Sequence, residues 1–192
     1  RAAKTHALHA LALCDRDGLY GSVRAYKESK LSEQRVITGA ELTLDPDEDG
    51  RPRPASSVAL LAMDLRGYGN LCRLLTLAHA DHEKGSAGIG AEEIARHAEG
   101  LIAVVPLEDR PQLRAGSDAL FDPLIQAFDD RLLAATHRHL DGRDGARTAT
   151  ARAVEERYDL PVVASARALY HDPQRKPLAD VLHCIRAGIT LD

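Results

Sequence analysis

The chain has 192 residues, of which 44% are hydrophobic and 28% are charged, and its formal net charge is −4. This composition is typical of one globular domain and excludes a disordered chain. A domain that binds nucleic acid by itself is usually basic, so we expect any DNA contact to come from a local patch or from another part of a larger protein.

The sequence contains no signal peptide and no apolar run of about 18 residues, which predicts a cytoplasmic protein without membrane contact. The three cysteines, Cys14, Cys72 and Cys184, each lie in an apolar run and lack the spacing of a metal site. We therefore expect them to be reduced, buried thiols.

The first residues have the pattern of a helix already under way, at residues 2–9. We interpret residues 1–192 as a single domain cut from a longer polypeptide, with a first strand missing at the N-terminal side. The rest of the chain alternates apolar runs with helix patterns, which indicates strand–helix units.

The predicted strands span residues 10–14, 35–44, 58–63, 101–106, 132–136 and 161–166. The predicted helices span residues 23–31, 67–81, 91–99, 117–128, 146–158 and 176–188, with Ser117 as the N-cap of the fourth. Residues 45–57 form a polar connection like the loop of a hairpin. Together with the missing strand, these elements predict an α/β parallel barrel of about seven strands. A doubly wound open sheet is the alternative, because periodicity does not separate the two.

Polar side chains follow most of the predicted strands, and two histidines, His79 and His82, lie at the end of the predicted helix at 67–81. The set is Asp15, Arg16, Asp17, Glu41, His79, His82, His137, His139, Tyr170, His171 and Asp172. The carboxyl ends of parallel strands meet at one mouth of a barrel. A ring of His and carboxylate groups there suits a multi-metal hydrolase, whose metals activate water and clamp a phosphoryl group.

A structural role is the alternative for many of these residues. Histidines in helix patterns are more often solvated or packed than metal ligands, and four are of this kind: His6, His9, His97 and His183. Glu41 differs, because a carboxylate inside an apolar strand requires a partner or a metal. Arg16 is a permanent cation, so in a ring of acids it would neutralise them in the place of a metal.

Five stretches of the chain together resemble one family. They are ALCDRDGLYG at 12–21, ITGAEL at 37–42, GYGNL at 67–71, LPVVA at 160–164 and PLADVLHCIR at 177–186. In this order they resemble the PHP (polymerase and histidinol phosphatase) domain at the N-terminus of bacterial C-family DNA polymerases, the alpha subunits of DNA polymerase III. The last helix and residues 138–140 are most similar to the error-prone branch used in damage tolerance. The resemblance implies a distorted seven-stranded (β/α) PHP barrel of parallel strands, without its first strand.

The sequence departs from the family pattern at several ligand positions. Arg16 and Leu169 stand where family motifs have His, and Ala135 stands where a Glu often ends the strand. The resemblance leaves Glu41, His79 and His137 as vestigial metal ligands. It assigns the rest of a degenerate cleft to Asp15, Arg16, Asp17, His139, Leu169, Tyr170 and His171. We therefore expect no cofactor in this chain, zinc or manganese if the site is intact, and magnesium in the parent polymerase.

Two functions follow from the resemblance. In the first, the chain is a non-catalytic module that supports the polymerase core of the same polypeptide. Its parent is then a DNA-directed DNA polymerase, a nucleotidyltransferase that contacts DNA in replication and in repair of DNA damage. In the second, the chain is an active metal-dependent phosphoesterase or 3′–5′ exonuclease that uses Glu41, His79 and His137. A solitary PHP-like protein is a third alternative.

One stability prediction is independent of function. Gly39 lies inside a predicted strand, where glycine usually marks a bulge or a close backbone approach. We expect Gly39→Val to destabilise the domain whether or not the domain is catalytic.

Overall fold

The computed structural model describes residues 2–45, 57–107 and 120–191. In these ranges it is an α/β structure with one six-stranded sheet. The strands are β1 (Ala10–Arg16), β2 (Arg35–Thr43), β3 (Ser57–Ala62), β4 (Leu101–Pro106), β5 (Leu132–Thr136) and β6 (Val162–Ala164). The helices are α1 (Ala2–Thr5), α2 (Ser22–Ser32), α3 (Leu65–Ala80), α4 (Ala91–Arg96), α5 (Phe121–Phe128), α6 (Asp144–Tyr158) and α7 (Lys176–Ala187). Two short 3₁₀ helices are Asp129–Arg131 and Pro173–Arg175.

The predicted alternation of strands and helices is confirmed in every part of the chain that the structure describes. Most of the bounds differ from the predicted ones by only a few residues. The first helix is shorter than predicted and ends at Thr5. The predicted N-cap Ser117 lies outside the described residues, as do all but the two ends of the predicted hairpin connection.

The strands follow each other in chain order across the sheet, from β1 at one edge to β6 at the other. The pairs β1–β2, β4–β5 and β5–β6 are parallel. The expectation of parallel strands throughout is corrected at β3, which runs antiparallel to both of its neighbours. Among the described residues β1 and β6 each pair with one strand, so the sheet is a half-barrel.

The reversal of β3 has a simple cause in the chain path. Thr43 at the end of β2 lies opposite Ser57 at the start of β3, so the chain returns along the strand that it has just left. Antiparallel neighbours require no crossover helix, whereas parallel neighbours do. As a result β3 ends at the opposite end of the sheet, and α3 then leads back toward the carboxyl end of β1.

The hydrophobic core lies between one face of the sheet and the helices. Because side chains alternate along a strand, the core-facing residues of the central strands recur with a period of two. These fully buried residues are Ala40, Leu42, Val58, Leu60, Leu101, Ala103 and Val105. They belong to one cluster with Leu71 and Leu74 of α3 and with Phe121 and Phe128 of α5. Glu41 lies between Ala40 and Leu42 in β2 and therefore projects to the other face.

The three cysteines are free thiols, as predicted, but they are half-buried rather than buried. Cys14 pairs in register with Gly39, on the sheet face opposite the one that carries Ala40. None of the described helices is both long enough and apolar enough to span a lipid bilayer.

Candidate functional site

The carboxyl ends of β1 and β2 place Arg16 and Glu41 side by side, because these two residues are paired in register. Glu41 Oε1 accepts a hydrogen bond of 2.6 Å from Ser57 Oγ on β3. It accepts a second hydrogen bond, of 3.3 Å, from the guanidinium of Arg167, which follows β6. Glu41 is only 19% exposed and Arg167 only 32%, so this ion pair is partly shielded from water. The partner that an acid in an apolar strand requires is therefore an arginine.

Arg16 has different partners from those expected. Its Nε donates to Thr43 Oγ1 over 3.2 Å and lies 3.8 Å from Asp17 Oδ2. Arg16 is thus the cation beside Asp17, while the cation on Glu41 is Arg167. Sequence reasoning did not weigh Arg167, although it lies at the end of a predicted strand like the other site residues.

Asp17 follows β1 directly and fixes the end of β1 against the end of β2, a junction that we call the β1–β2 corner. Its backbone has a positive φ of 50°, and its N–H donates to the Glu41 carbonyl over 2.9 Å. Its carboxylate accepts hydrogen bonds of 2.7 Å from both the N–H and the hydroxyl of Thr43. Both carboxylate oxygens are therefore committed to the fold of this corner.

Asp15 is placed differently from the predicted cleft position. It pairs in register with Ala40, so its side chain lies on the face that the helices cover. Its Oδ2 accepts a hydrogen bond of 2.6 Å from Gly21 N, immediately before α2. A carboxylate at that point stabilises the positive end of the helix. Asp15 thus has a structural role in α2.

His79 reaches the corner from the end of α3, because the reversal of β3 directs that helix toward β1. Its Nε2 lies 2.8 Å from the Asp17 carbonyl oxygen, and its Nδ1 lies 3.2 Å from the Ser86 carbonyl oxygen. Both ring nitrogens of His79 therefore face carbonyl oxygens of the fold. The neighbouring His82 instead lies 3.3 Å from Asp45.

His137 and His139 follow β5 and contact each other, with ring centroids 4.5 Å apart. His137 is buried, at 5% exposure, whereas His139 is exposed. The turn that carries them is fixed by Asp144, whose carboxylate accepts from the backbone N–H groups of His139 and Leu140. Asp144 also accepts from the buried Arg147. The two histidines therefore lie on a well-braced turn.

The predicted cleft is divided between two cavities. One, of about 460 Å³, is bordered by Arg16, Asp17, His79 and Arg186. The other, of about 220 Å³, lies between α7 and the turn after β6 and is bordered by Leu169, Tyr170 and His171. The structure thus brings Arg16, Asp17 and His79 together, and it places the residues of the last motif against a helix.

The residues at the mouth do not suit a metal cluster. Within residues 2–45, 57–107 and 120–191, no three His, Cys, Asp or Glu side chains are grouped so that they could hold a metal ion. Glu41 binds an arginine, and the His79 nitrogens face carbonyl oxygens. Two-metal hydrolysis needs several free ligands around each ion, and these side chains are engaged elsewhere.

Cys14 reports the electrostatics of this face. Its pKa is raised from 9.0 to about 11, chiefly by burial and then by the negative charges of Glu41 and Asp15. A thiolate is the nucleophilic and metal-binding form of cysteine, so Cys14 is suited to neither task at neutral pH.

A mostly parallel half-barrel with polar residues gathered at the carboxyl ends of its strands has the architecture of barrel enzymes. The chain belongs to the PHP domain family, whose model matches residues 1–155. This family membership confirms the resemblance that the sequence motifs indicated.

The chain is similar to an error-prone DNA polymerase of Anaeromyxobacter sp. (strain K), at 37% identity over 96% of this chain and 16% of that protein. It is 31% identical to the error-prone DNA polymerase of Bdellovibrio bacteriovorus, over 94% of this chain and 17% of that protein. An amidohydrolase structure from Chromobacterium violaceum aligns with a TM-score of 0.49 and 15% identity, over 90% of this chain and 80% of that one. The chain thus spans about one sixth of the length of these polymerase relatives.

Proposed function

We propose that this chain is the degenerate PHP domain of an error-prone DNA polymerase III alpha subunit, in which it supports the polymerase core and does not hydrolyse a substrate. The relatives support the parentage, since 96% of the chain aligns with an error-prone DNA polymerase. The observation that carries the loss of hydrolytic function is the ion pair between Arg167 and Glu41.

The charges explain why this ion pair opposes metal binding. Two unit charges 4 Å apart interact by about 4 kcal/mol near a protein surface, and a divalent ion roughly doubles this repulsion from a guanidinium. A metal on Glu41 would also have to displace Arg167 from its hydrogen bond. Arginine stays protonated at every physiological pH, so Arg167 cannot make room for a metal ion by becoming neutral.

The chemistry of the parent polymerase lies outside this chain in this proposal. DNA synthesis in damage tolerance, the magnesium ions of nucleotidyl transfer and the contact with DNA belong to the rest of the polypeptide, in the cytoplasm. The acidic net charge of −4 agrees with a domain that does not hold DNA by itself.

Calorimetry with zinc and with manganese tests the proposal on the chain itself. We expect no tight, stoichiometric binding of either ion. The Glu41→Gln variant is the control, because weak binding that survives this substitution belongs to surface histidines. Two or more ions bound per chain, lost in Glu41→Gln, would contradict the proposal.

An active metal-dependent phosphoesterase or 3′–5′ exonuclease is the second candidate. It is favoured by membership of the PHP family and by the carboxylate at position 41, which lies at the mouth of the half-barrel. It predicts hydrolysis of p-nitrophenyl phosphate or single-stranded DNA in the presence of manganese, abolished by Glu41→Ala. Activity that survives Glu41→Ala would indicate a contaminant.

A further inference from the structure

We propose that the outward side of α2 is a contact surface for single-stranded nucleic acid. The surface consists of Arg24, Lys27 and Lys30 together with Tyr26, and we call it the α2 patch. This inference goes beyond the proposed function, because it gives the domain an accessory contact of its own. The contact is weak and does not hold a strand without the rest of a longer polypeptide.

Helix α2 has one side against the sheet and one side in water. Its half-buried residues are all small: Ser22, Ala25, Ser29 and Ser32. At 3.6 residues per turn, these four positions fall within an arc of about 80°. Lys27 lies opposite the middle of that arc, and Arg24 and Lys30 lie about 60° to either side of it. All three are exposed, so the cations project from the side that faces water.

The cations of the α2 patch are not neutralised by acids of the fold. Within residues 2–45, 57–107 and 120–191, Arg24, Lys27 and Lys30 form no ion pair with a carboxylate. Lys30 Nζ lies instead 5.1 Å from the centroid of the Tyr26 ring. Exposed cations of three other helices do pair with acids, namely Arg66, Arg96 and Lys176. The charge of the α2 patch is therefore available to a ligand.

Two more cations extend the patch past the end of α2. Lys4 Nζ donates to the carbonyl oxygen of the last residue of α2 over 3.1 Å, and Arg35 is exposed at the start of β2. Residues 22–35 contain four Lys or Arg and two acids, Glu28 and Glu33, whereas the whole chain has a net charge of −4. Positive charge gathered on one surface of an acidic chain favours a contact with phosphates.

Exposed tyrosine rings favour a single strand over a duplex. The chain has five tyrosines, and the two most exposed are Tyr20, at 79%, and Tyr26, at 61%. They lie just before α2 and within it. In proteins that bind single strands, unpaired bases stack on such rings while cations contact the phosphates. From Arg24 to Lys30 the helix rises about 9 Å, which spans roughly two to three phosphates of one strand.

A lipid surface fits the α2 patch less well. A helix that binds a bilayer separates a wide apolar side from its cationic side. In α2 the exposed apolar side chains are Val23 and Leu31, and they share the outward side with the cations. The opposite side consists of alanine and serines against the sheet. Helix α2 therefore has no separate apolar side for a bilayer.

Fluorescence anisotropy with a labelled oligothymidylate of about 12 nucleotides tests the proposal on this chain, without added metal. We expect a dissociation constant of about 10⁻⁵ M at about 50 mM salt, and weaker binding as the salt concentration rises. Lys27→Gln combined with Lys30→Gln should weaken binding about tenfold and reduce the salt slope by about 1.4. Tyr26→Leu should weaken binding about fivefold or more without changing the salt slope, because it removes stacking and no charge.

Arg152→Gln combined with Arg157→Gln is the matched control. It makes the same change of charge on the exposed side of α6. The Arg157 guanidinium also lies over a tyrosine ring, 5.5 Å from the Tyr158 centroid, as Lys30 does over Tyr26. We expect this variant to bind the oligonucleotide as tightly as the native chain, and the melting temperatures of all variants show that they are folded.

Equal weakening in the two double variants would overturn the proposal, because the effect would then follow net charge and not the α2 patch. A salt slope near zero in the native chain, or no binding at about 50 mM salt, would overturn it independently of any variant. Binding to phosphatidylserine vesicles but not to the oligonucleotide would identify a lipid surface and would also overturn it. Tighter binding to an oligouridylate of the same length, lost in the Lys27 and Lys30 double variant, would support the patch and identify RNA as its ligand.

Discussion

Glu41 and Arg167 are 126 positions apart in the chain, and their side chains form an ion pair across the mouth of the half-barrel. Glu41 lies on the second strand of the sheet and Arg167 follows the sixth, so the contact joins two distant parts of the sheet. Arg167 keeps this position with a positive φ of 41°, which costs of order 1 kcal/mol for a residue with a side chain. The pair therefore joins the ends of two distant strands and holds a cation on Glu41.

Loss of either partner is expected to destabilise the domain. Arg167→Met leaves a half-buried carboxylate without its counter-charge, and Glu41→Gln leaves the guanidinium with a weaker acceptor. We expect a coupling energy of about 1–3 kcal/mol in a double-mutant cycle of unfolding free energies in urea. Independent effects of the two substitutions would show that the pair does not form in solution.

The Cys14 thiol is expected to react slowly and to sense Glu41. With a pKa of about 11, against 9.0 for an unperturbed thiol, its thiolate fraction at pH 8 is roughly one hundredfold lower. Glu41→Gln removes one of the charges that raise this pKa, so it should lower the pKa and speed labelling, while burial keeps the pKa above 9.0.

The measurement for Cys14 is the rate of maleimide labelling against pH, in a variant with Cys72 and Cys184 replaced by serine. Its reference is the same rate in the urea-unfolded chain. A folded-state rate that follows an ordinary thiol titration, with no effect of Glu41→Gln, would contradict the placement of Cys14 beside Glu41.

Two glycines in the same helix should respond in opposite ways to alanine. A Cβ on Gly67 would clash with the Gly100 carbonyl oxygen, whereas a Cβ on Gly69 would meet nothing within 4 Å. We expect Gly67→Ala to cost about 1–3 kcal/mol or more, because α3 must move away from the chain before β4. Gly69→Ala should stabilise by up to about 1 kcal/mol, since alanine is the better helix former. The melting temperatures of the two variants test this prediction. Equal changes in melting temperature would contradict the close contact between Gly67 and Gly100.

Gly39→Val is expected to destabilise the domain for a reason that the structure makes specific. A Cβ at this position would lie 2.6 Å from the Leu60 carbonyl oxygen and 2.8 Å from Cys14 Sγ. The strands would have to separate, at a cost of about 1–3 kcal/mol. An unchanged melting temperature would show that β2 is not paired with its neighbours as described.

The stability of the turn after β5 should depend on acid pH through Asp141. Arg147 donates two hydrogen bonds to this carboxylate, and with the Arg143 N–H it holds the pKa of Asp141 well below its usual value of 3.8. A lowered folded-state pKa stabilises the fold above the unfolded-state value and loses that contribution as the pH falls below about 4.

Asp141→Asn is therefore expected to lower the melting temperature at pH 7 and to flatten its fall between about pH 5 and pH 2. Glu156→Gln, an exposed change on α6, is the control and should leave the profile unchanged. A wild-type profile that is retained in Asp141→Asn would show that other acids carry the acid sensitivity.

The order and type of the elements could be predicted because apolar runs of strand length alternate with helix patterns along the chain. Strand β4, for example, follows from the uninterrupted apolar run Leu101–Pro106, and helix α3 follows from the apolar face of Leu65–Ala80. The direction of β3 was predicted in two conflicting ways, since the hairpin-like connection at 45–57 favours an antiparallel pair and a parallel barrel does not. The pairing of Thr43 with Ser57 shows that the hairpin was the correct indication.

The sequence predicted where the site residues lie in the fold, but it did not predict most of the contacts between them. Glu41 was singled out because an acid in an apolar strand needs a partner, and that partner exists. Its identity as Arg167 depends on how the sheet curls, which no local pattern records. The placement of Asp15 toward α2 follows from strand alternation with Arg16, but only once the register with Glu41 is known.

The most direct measurement is anomalous scattering from a crystal of the protein grown with manganese. If Arg167 occupies the place of the metal, the map will show the guanidinium on Glu41 and no anomalous peak within coordination distance of that carboxylate. A strong peak that Glu41 ligates together with His79 or His137, with Arg167 displaced, would contradict the proposed loss of the metal site.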